Sequence, residues 1–204
     1  MSHRLTSRFR LRRVFRGIVL SIARPLASKG VHPDVITYTT LLTAFGGGLV
    51  LLISGNQILF GVLVFLTGLL DGVDGAVARL GGHASPAGPF TDSVVDKAAE
   101  GLILLFVALR YQDAELLHVA VPIWCFICLF GWLMTSYARA RAEVLGVRDL
   151  DVGLGARSER LFTLFLSSVL QYLTWGLVIV TVMGVCTAAY RTLHYSREIL
   201  RNNT

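Results

Sequence analysis

The sequence has little charge and few cysteines, and only two of its basic residues are lysine. Asp, Glu, Lys and Arg make up 16% of its 204 residues, whereas soluble domains average about 25%. Apolar residues make up 54%, and the mean hydropathy is +0.64. This balance excludes a disordered or collagen-like chain, and it leaves few polar side chains to cover the surface of a soluble globule. The first prediction is therefore an integral membrane protein.

The three cysteines, Cys125, Cys128 and Cys186, all lie in apolar stretches. Cys125 and Cys128 form a C-x-x-C pair, but neither a second pair nor a nearby His completes a zinc site. We interpret all three as buried packing residues.

Six apolar stretches each approach the roughly 20 residues that cross about 30 Å of hydrocarbon as a helix. They run over 34–54, 57–79, 89–110, 116–138, 157–173 and 174–195. The sequence therefore predicts an all-α fold, in which residues 31–204 form one membrane bundle of six transmembrane helices.

The first 30 residues predict a basic amphipathic helix. Its basic residues are Arg4, Arg8, Arg10, Arg12, Arg13, Arg16, Arg24 and Lys29. Apolar side chains interleave them at helical spacing, at Leu11, Phe15, Ile18, Ile22 and Leu26. We favour a juxtamembrane helix on an anionic membrane surface over a nucleic-acid-binding arm, and we expect no nucleic-acid partner.

The positive charge is distributed asymmetrically between the two ends of the predicted spans. If the N-terminal arm is cytoplasmic, Arg110 alone falls outside, and the remaining arginines lie on or near the cytoplasmic side. This asymmetry follows the positive-inside rule for an even number of spans. It predicts a multi-pass protein of the cell membrane with both termini in the cytoplasm.

Four carboxylates lie near the facing ends of the second and third apolar stretches. Asp71 and Asp74 are spaced i, i+3, and Asp92 and Asp96 are spaced i, i+4, so each pair lies on one helix face. The turn between the two stretches contains glycine and proline, which can return the chain as an antiparallel neighbour. The four carboxylates are therefore expected to converge.

Such a cluster within apolar helices requires compensating positive charge. Arg79 and Lys97 supply two cations for four acids, so simple neutralisation by them is incomplete. Carboxylate oxygens are ligands of hard divalent cations, which predicts a metal site. The small residues Gly75, Ala78 and Gly88 leave room beside it for a phosphate-bearing ligand.

The same residues resemble the motif of the CDP-alcohol phosphatidyltransferase family. That motif is D-x-x-D-G-x-x-A-R, eight residues, then G-x-x-x-D-x-x-x-D. Every fixed position matches, at Asp71, Asp74, Gly75, Ala78, Arg79, Gly88, Asp92 and Asp96. The resemblance implies a six-helix membrane homodimer with an amphipathic N-terminal helix, which displaces CMP from a CDP-linked lipid by an alcohol.

The resemblance also implies roles for individual residues. Two divalent ions, Mg²⁺ or Mn²⁺, are expected among Asp71, Asp74, Asp92 and Asp96, and Asp96 is expected to be the general base. The CDP group is expected to contact Asp74, Gly75, Ala78, Arg79 and Gly88, with Thr37 lining the nucleotide pocket. The lipid is either a diacylglycerol or an archaeol.

A second basic cluster points to the acceptor alcohol. It consists of Arg139, Arg141, Arg157 and Arg160. The guanidinium group of arginine binds two phosphate oxygens at once, so the cluster predicts a phosphorylated acceptor. The alternative is that these arginines only contribute to the positive charge of the cytoplasmic side. The patterns S-Y-x-R-A-R and R-x-E-R are similar to those of the inositol-phosphate branch of the family. Inositol phosphate is the predicted acceptor, glycerol 3-phosphate and serine are alternatives, and the competing function outside enzymology is a metal-binding transporter.

Overall fold

The computed structural model describes residues 14–82, 87–150, 152–153 and 155–202. These residues form seven helices and one short hairpin. The helices are α1 (Arg16–Ser28), α2 (Pro33–Ser54), α3 (Gln57–Gly81), α4 (Ala87–Arg110), α5 (Val121–Val144), α6 (Arg157–Val169) and α7 (Leu173–Asn202). The hairpin strands are β1 (Glu115–Leu116) and β2 (Val119–Ala120), so the predicted all-helical fold is confirmed apart from this hairpin.

Four of the described helices, α2, α3, α5 and α7, are long and apolar enough to cross a membrane. The first half of α4 carries several charged side chains, and α6 has only 13 residues. At 1.5 Å per residue, α6 is about 20 Å long, which is shorter than the hydrocarbon core. The helices thus support a membrane protein, while the predicted six spans stay a prediction.

Helices α2 and α3 lie at the centre of the first half of the bundle. Helix α2 packs against both α3 and α4, and α3 also packs against α1 and α6. Helices α3 and α4 touch each other along only a short stretch. The close approach of α2 and α4 requires glycine at Gly48, because a Cβ there would lie 2.0 Å from the ring of Phe106.

The second half of the bundle is formed by α5, α6 and α7. Helix α7 packs against both α5 and α6. The main core joins both halves around Trp132, Phe60, Leu164 and Leu177, all of which are fully buried. This core holds the ends of α3, α4 and α6 in fixed positions relative to one another.

Helix α1 lies against α3. Ala23 of α1 is buried with Val73, Ala76 and Val77 of α3, and the α1 side chains Val19, Leu20, Ile22 and Leu26 pack against them. Arg16 and Arg24 are exposed. The predicted residues Arg4, Arg8, Arg10, Leu11, Arg12 and Arg13 lie outside the described residues.

The hairpin corrects the predicted start of the fourth apolar stretch. That stretch was expected to run over 116–138, but α5 begins at Val121 because residues 115–120 form the hairpin. Its turn residues Leu117 and His118 have φ of 54° and 59°. Two successive positive φ angles are typical of a type I′ turn, which usually contains Asn or Gly, so Leu117 and His118 do not predict it.

The outer faces of the helices are apolar. Leu42 on α2 is 69% exposed and Phe126 on α5 is 70% exposed, as expected of faces that contact lipid. Cys125 and Cys128 are buried as predicted, but Cys186 is exposed on α7, so its prediction as a buried residue is wrong.

Candidate active site

The residues of the acid motif meet at one end of the bundle. Asp71 and Asp74 lie in the second half of α3, and Asp92 and Asp96 lie in the first half of α4. Because the two helices share only a short contact, their motif ends meet while the rest of α3 and α4 is separated by other helices.

Three of the carboxylates form a cluster that could hold a metal ion. Asp71, Asp92 and Asp96 each offer one oxygen, and these oxygens all lie within 4.8 Å of one another. Asp71 is buried, and the other two are partly buried. Oxygen donors of this kind are the ligands of Mg²⁺ and Mn²⁺, so the donor set fits a divalent ion.

Asp74 is held by a contact from α2. The hydroxyl of Thr37 donates a hydrogen bond to Asp74 Oδ2 at 2.8 Å, and both side chains are buried. Thr37 lies in the first turns of α2, which begins at Pro33 because proline suits the first helical position. This hydrogen bond fixes one carboxylate oxygen of the motif against the predicted nucleotide residue.

A cavity of about 640 Å³ opens beside the acids. Its lining includes all the residues predicted to contact the CDP group, namely Thr37, Asp74, Gly75, Ala78, Arg79 and Gly88. Asp71 and Asp92 line it as well. An apolar wall is formed by Phe65, Leu69, Leu161 and Phe162. The cavity therefore has a polar end at the acids and an apolar surface continuous with it.

Arg157 reaches into the acid cluster from α6. Its guanidinium contacts Asp71 Oδ1 at 2.7 Å through one terminal nitrogen and Asp96 Oδ1 at 2.9 Å through the other. Its Nε lies 3.2 Å from Glu100 Oε1. Predicted as a phosphate ligand, Arg157 thus lies among carboxylates in this structure.

The start of α6 at Arg157 is set by contacts with α7 and by a local cap. The backbone N–H of Gly155 donates to Thr187 Oγ1 at 3.1 Å, and Arg191 Nε donates to the carbonyl of Val152 at 3.0 Å. Glu159 accepts a hydrogen bond from the backbone N–H of Ala156 at 2.9 Å, which satisfies a free donor at the helix start. These contacts orient Arg157 towards α3 and α4.

Glu100 is the residue of the site that the sequence analysis missed. Its side chain is fully buried, and besides Arg157 it contacts Lys97 Nζ at 2.7 Å and Arg160 at 4.0 Å. The spacing of Glu100 could have indicated its place in the site, because Asp92, Asp96 and Glu100 are spaced i, i+4 and i+8 on one face of α4. A charged residue at that depth indicates a functional or pairing role.

The four predicted acceptor arginines lie in three different surroundings. Arg157 contacts the acids, whereas Arg160 is buried with its guanidinium 4.6 Å from the centre of the Trp132 ring. Arg139 and Arg141 are exposed near the end of α5. Arg160 therefore has the environment of a structural cation, while Arg139 and Arg141 are accessible from solvent.

Replacing Glu100 by Gln is expected to destabilise the protein. Glu100 is the shared partner of Lys97, Arg157 and Arg160, and breaking a buried ion pair typically costs about 3–5 kcal/mol. At roughly 2–4 °C per kcal/mol for a chain of this size, the midpoint of thermal unfolding in detergent should fall by about 10 °C. Glu115→Gln, at an exposed position of β1, is the control and should leave it unchanged. Equal midpoints for both variants would contradict a stabilising role for Glu100.

The sequence and the fold were compared with those of known proteins. The family model described as CDP-alcohol phosphatidyltransferase matches residues 30–192. The chain is 32% identical over 182 residues to archaetidylinositol phosphate synthase of Pyrococcus horikoshii, covering 87% of this chain and 90% of that protein. It is also 32% identical over 157 residues to phosphatidylinositol phosphate synthase of Mycobacterium tuberculosis, covering 75% of this chain and 70% of that protein.

A solved structure shares the fold. The crystal structure of Mycobacterium tuberculosis phosphatidylinositol phosphate synthase in complex with manganese and citrate superposes with a TM-score of 0.73 at 28% identity, covering 87% of this chain and 88% of that chain. The family match begins two residues after the end of α1, extends into α7 and includes every motif residue of the acid cluster. The chain therefore belongs to the CDP-alcohol phosphatidyltransferase family and is an enzyme of that class.

Proposed function

We propose that this enzyme transfers a phosphatidyl-type group, diacylglycerol or archaeol phosphate, from a CDP-linked lipid to the hydroxyl of inositol phosphate and releases CMP. The observation that carries the proposal is the cavity, which is lined by the predicted CDP residues together with Asp71 and Asp92. The names of its relatives, archaetidylinositol phosphate synthase and phosphatidylinositol phosphate synthase, support the choice of acceptor. Family membership leaves the transporter alternative without support.

The two ends of the cavity match the two parts of a CDP-linked lipid. Its volume of about 640 Å³ lies within the range of roughly 300–1,000 Å³ that is usual for small-molecule sites. Gly75 and Ala78 on α3 leave space for the nucleotide beside Asp74, and Arg79 provides positive charge for a phosphate. Phe65 and Phe162 offer an apolar surface to the start of the lipid chains.

The aspartates supply the metal-binding and base functions. Asp71, Asp74, Asp92 and Asp96 would hold two divalent ions, Mg²⁺ or Mn²⁺, which when bound would neutralise the pyrophosphate and the departing CMP. Asp96 is proposed as the general base that takes the proton of the acceptor hydroxyl. The acceptor oxygen then bonds to the lipid-bearing phosphorus, the bond from that phosphorus to CMP breaks, and CMP leaves with the bonding electrons.

The acceptor phosphate is proposed to bind among the arginines at the same end of the bundle. Arg157 lies next to Asp96, so a phosphate bound by Arg157 would hold the acceptor hydroxyl near the base. Arg139 and Arg141 are accessible on α5 and can approach the phosphate from outside. We propose that Arg160, buried over Trp132, supports this arrangement through Glu100 rather than by contacting the phosphate.

The enzyme is further proposed to lie in the cell membrane with both termini and the active site in the cytoplasm. The uneven distribution of arginine between the two ends of the predicted spans supports this orientation. The homodimer stays a prediction from the family resemblance, and the interfacial position of α1 stays a prediction from its basic amphipathic sequence.

The test is CMP release from the purified enzyme with CDP-diacylglycerol and with CDP-archaeol. Each lipid is combined with inositol phosphate, free inositol, glycerol 3-phosphate or serine. We expect CMP release with inositol phosphate to exceed that with every other acceptor. Equal or faster release with glycerol 3-phosphate or serine would contradict the acceptor while leaving the family chemistry intact.

The double variant Arg139→Ala/Arg141→Ala is expected to weaken acceptor binding selectively. One lost charge-assisted contact costs roughly 1.5–3 kcal/mol, which raises the KM for inositol phosphate about 10- to 100-fold. The KM for the CDP-lipid should change little. Arg148→Ala/Arg197→Ala removes the same charge from two other exposed positions and serves as the matched control. Equal losses for both substrates, or equal losses in the control, would contradict the assignment.

A further inference from the structure

Arg157 bridges two groups of acids that differ in burial. On one side its two terminal nitrogens contact Asp71 and Asp96, which are members of the carboxylate cluster. On the other side its Nε faces Glu100, whose side chain is fully buried. Arg157 itself is 15% exposed. A guanidinium with both ends engaged in this way is the internal counter-ion of the cluster.

The contact with Glu100 belongs to a network of charged side chains that consists of Lys97, Glu100, Arg157 and Arg160. Lys97 and Arg160 also contact Glu100, and Arg160 is fixed over the Trp132 ring. The packing of Trp132, which is fully buried, fixes this part of the bundle. Glu100 can therefore hold Nε of Arg157 in place while the two terminal nitrogens of Arg157 change partners.

The contacts of Arg157 with Asp71 and Asp96 engage two of the carboxylates that a divalent cation would need. Asp71, Asp92 and Asp96 form the cluster with oxygens within 4.8 Å of one another, and Arg157 contacts two of these three residues. Like charges at such distances in a low-dielectric site repel strongly. Arg157 and a divalent cation therefore compete for the same carboxylates.

We propose that Arg157 is an exchangeable counter-ion anchored by Glu100. It neutralises Asp71 and Asp96 before divalent cations bind, and it turns to the phosphate of the acceptor alcohol once they are bound. The inference rests on the proposed function, since it uses the phosphate of the acceptor as the second partner of Arg157.

Cooperative binding follows from this exchange. A phosphate that holds Arg157 away from the carboxylates removes the competitor of the cation, so it strengthens cation binding. Linkage requires the reverse effect to be equally large, and such couplings are typically about 5- to 150-fold. Free inositol has no phosphate and should produce no coupling through Arg157.

The first experiment measures Mn²⁺ binding to the purified full-length protein without substrates, by the EPR signal of free Mn²⁺. Arg157→Gln removes the competing charge and should bind Mn²⁺ about tenfold more tightly or better, because a unit charge near a bound cation in this environment is worth at least that factor. Arg148→Gln removes an exposed charge and should bind Mn²⁺ as the wild type does. Arg157→Lys keeps the charge and should lie closer to the wild type than Arg157→Gln does.

The second experiment repeats the titration with inositol phosphate, free inositol or inorganic phosphate present. Inositol phosphate should tighten Mn²⁺ binding by the wild type, and the effect should be lost in Arg157→Lys and Arg157→Gln, since neither offers the two-pronged fork. The two variants also report any direct binding of Mn²⁺ to phosphate in solution. A titration without protein also measures the Mn²⁺ that phosphate binds in solution, so the wild-type result remains decisive if Arg157→Gln does not fold.

Either of two results would overturn the proposal. One is Mn²⁺ binding by Arg157→Gln that is equal to or weaker than that of the wild type, and the other is wild-type Mn²⁺ binding that inositol phosphate leaves unchanged. Both results are distinct from failure of the proposed function, which would appear as no CMP release with inositol phosphate. Tight Mn²⁺ binding by Arg157→Gln together with coupling in the wild type supports the exchange.

Discussion

Replacement of a single cluster aspartate by asparagine is expected to abolish CMP release. Each such change keeps the size of the side chain but removes one ligand charge from the site. Carboxylate oxygens of Asp71, Asp92 and Asp96 lie within 4.8 Å of one another, and Asp74 lines the cavity beside them. Loss of metal assistance is worth several kcal/mol, which corresponds to a decrease in kcat of roughly 10³-fold or more. The variants are Asp71→Asn, Asp74→Asn and Asp92→Asn.

The measurement combines CMP release with Mn²⁺ binding, and both should fall in the three variants. Asp113→Asn is the matched control, because Asp113 is an exposed aspartate near the opposite end of α4. Its activity and Mn²⁺ binding should equal those of the wild type. Full wild-type activity in excess chelator would refute the metal site altogether, and normal turnover by any one variant would remove that aspartate from it.

Asp96→Asn is expected to separate substrate binding from chemistry. The amide cannot accept the proton of the acceptor hydroxyl, and a general base typically contributes about 10²–10⁴-fold to the rate. We expect kcat to fall by that factor while the affinity for the CDP-lipid stays near that of the wild type. The affinity is measured by competition with a labelled CDP-lipid, and kcat by CMP release at saturating acceptor.

The matched control for this prediction is Ser93→Ala, an exposed position on the first turns of α4. Its hydroxyl bonds only to the local carbonyl of Pro89 among the described contacts, so turnover should be unchanged. Near-normal turnover by Asp96→Asn would assign the base elsewhere. An equal loss of CDP-lipid affinity would indicate that Asp96 acts in binding and not in the proton transfer.

The sequence predicted the helical fold and the residues around the acids because both depend on local patterns. The spacing of Asp71 and Asp74, and that of Asp92 and Asp96, places each pair on one face of its helix. The glycine- and proline-containing turn allows the two faces to meet. Their convergence in the described structure agrees with that expectation. The predicted CDP residues also line one cavity.

Other features depended on contacts between segments that are distant in sequence. Nothing near Arg157 indicates that its guanidinium reaches Asp71 on another helix, because this depends on how α6 packs against α3. The break between the last two apolar stretches was predicted after residue 173, but α6 already stops at Val169. Gln171 takes a φ of 62°, which is uncommon outside glycine, so its type gave no sign of the earlier break.

The ion pairs between α4 and α6 have a consequence for biosynthesis. Helix α4 carries Asp96 and Glu100, whereas their partner Arg157 lies on α6, which the ribosome makes only after α5. Until α6 is made, Glu100 can pair with Lys97 of its own helix, but the contacts of Asp96 and Glu100 with Arg157 cannot form. Because unpaired charges within a bilayer are costly, we expect α4 to reach its final position only after α6 has been translated.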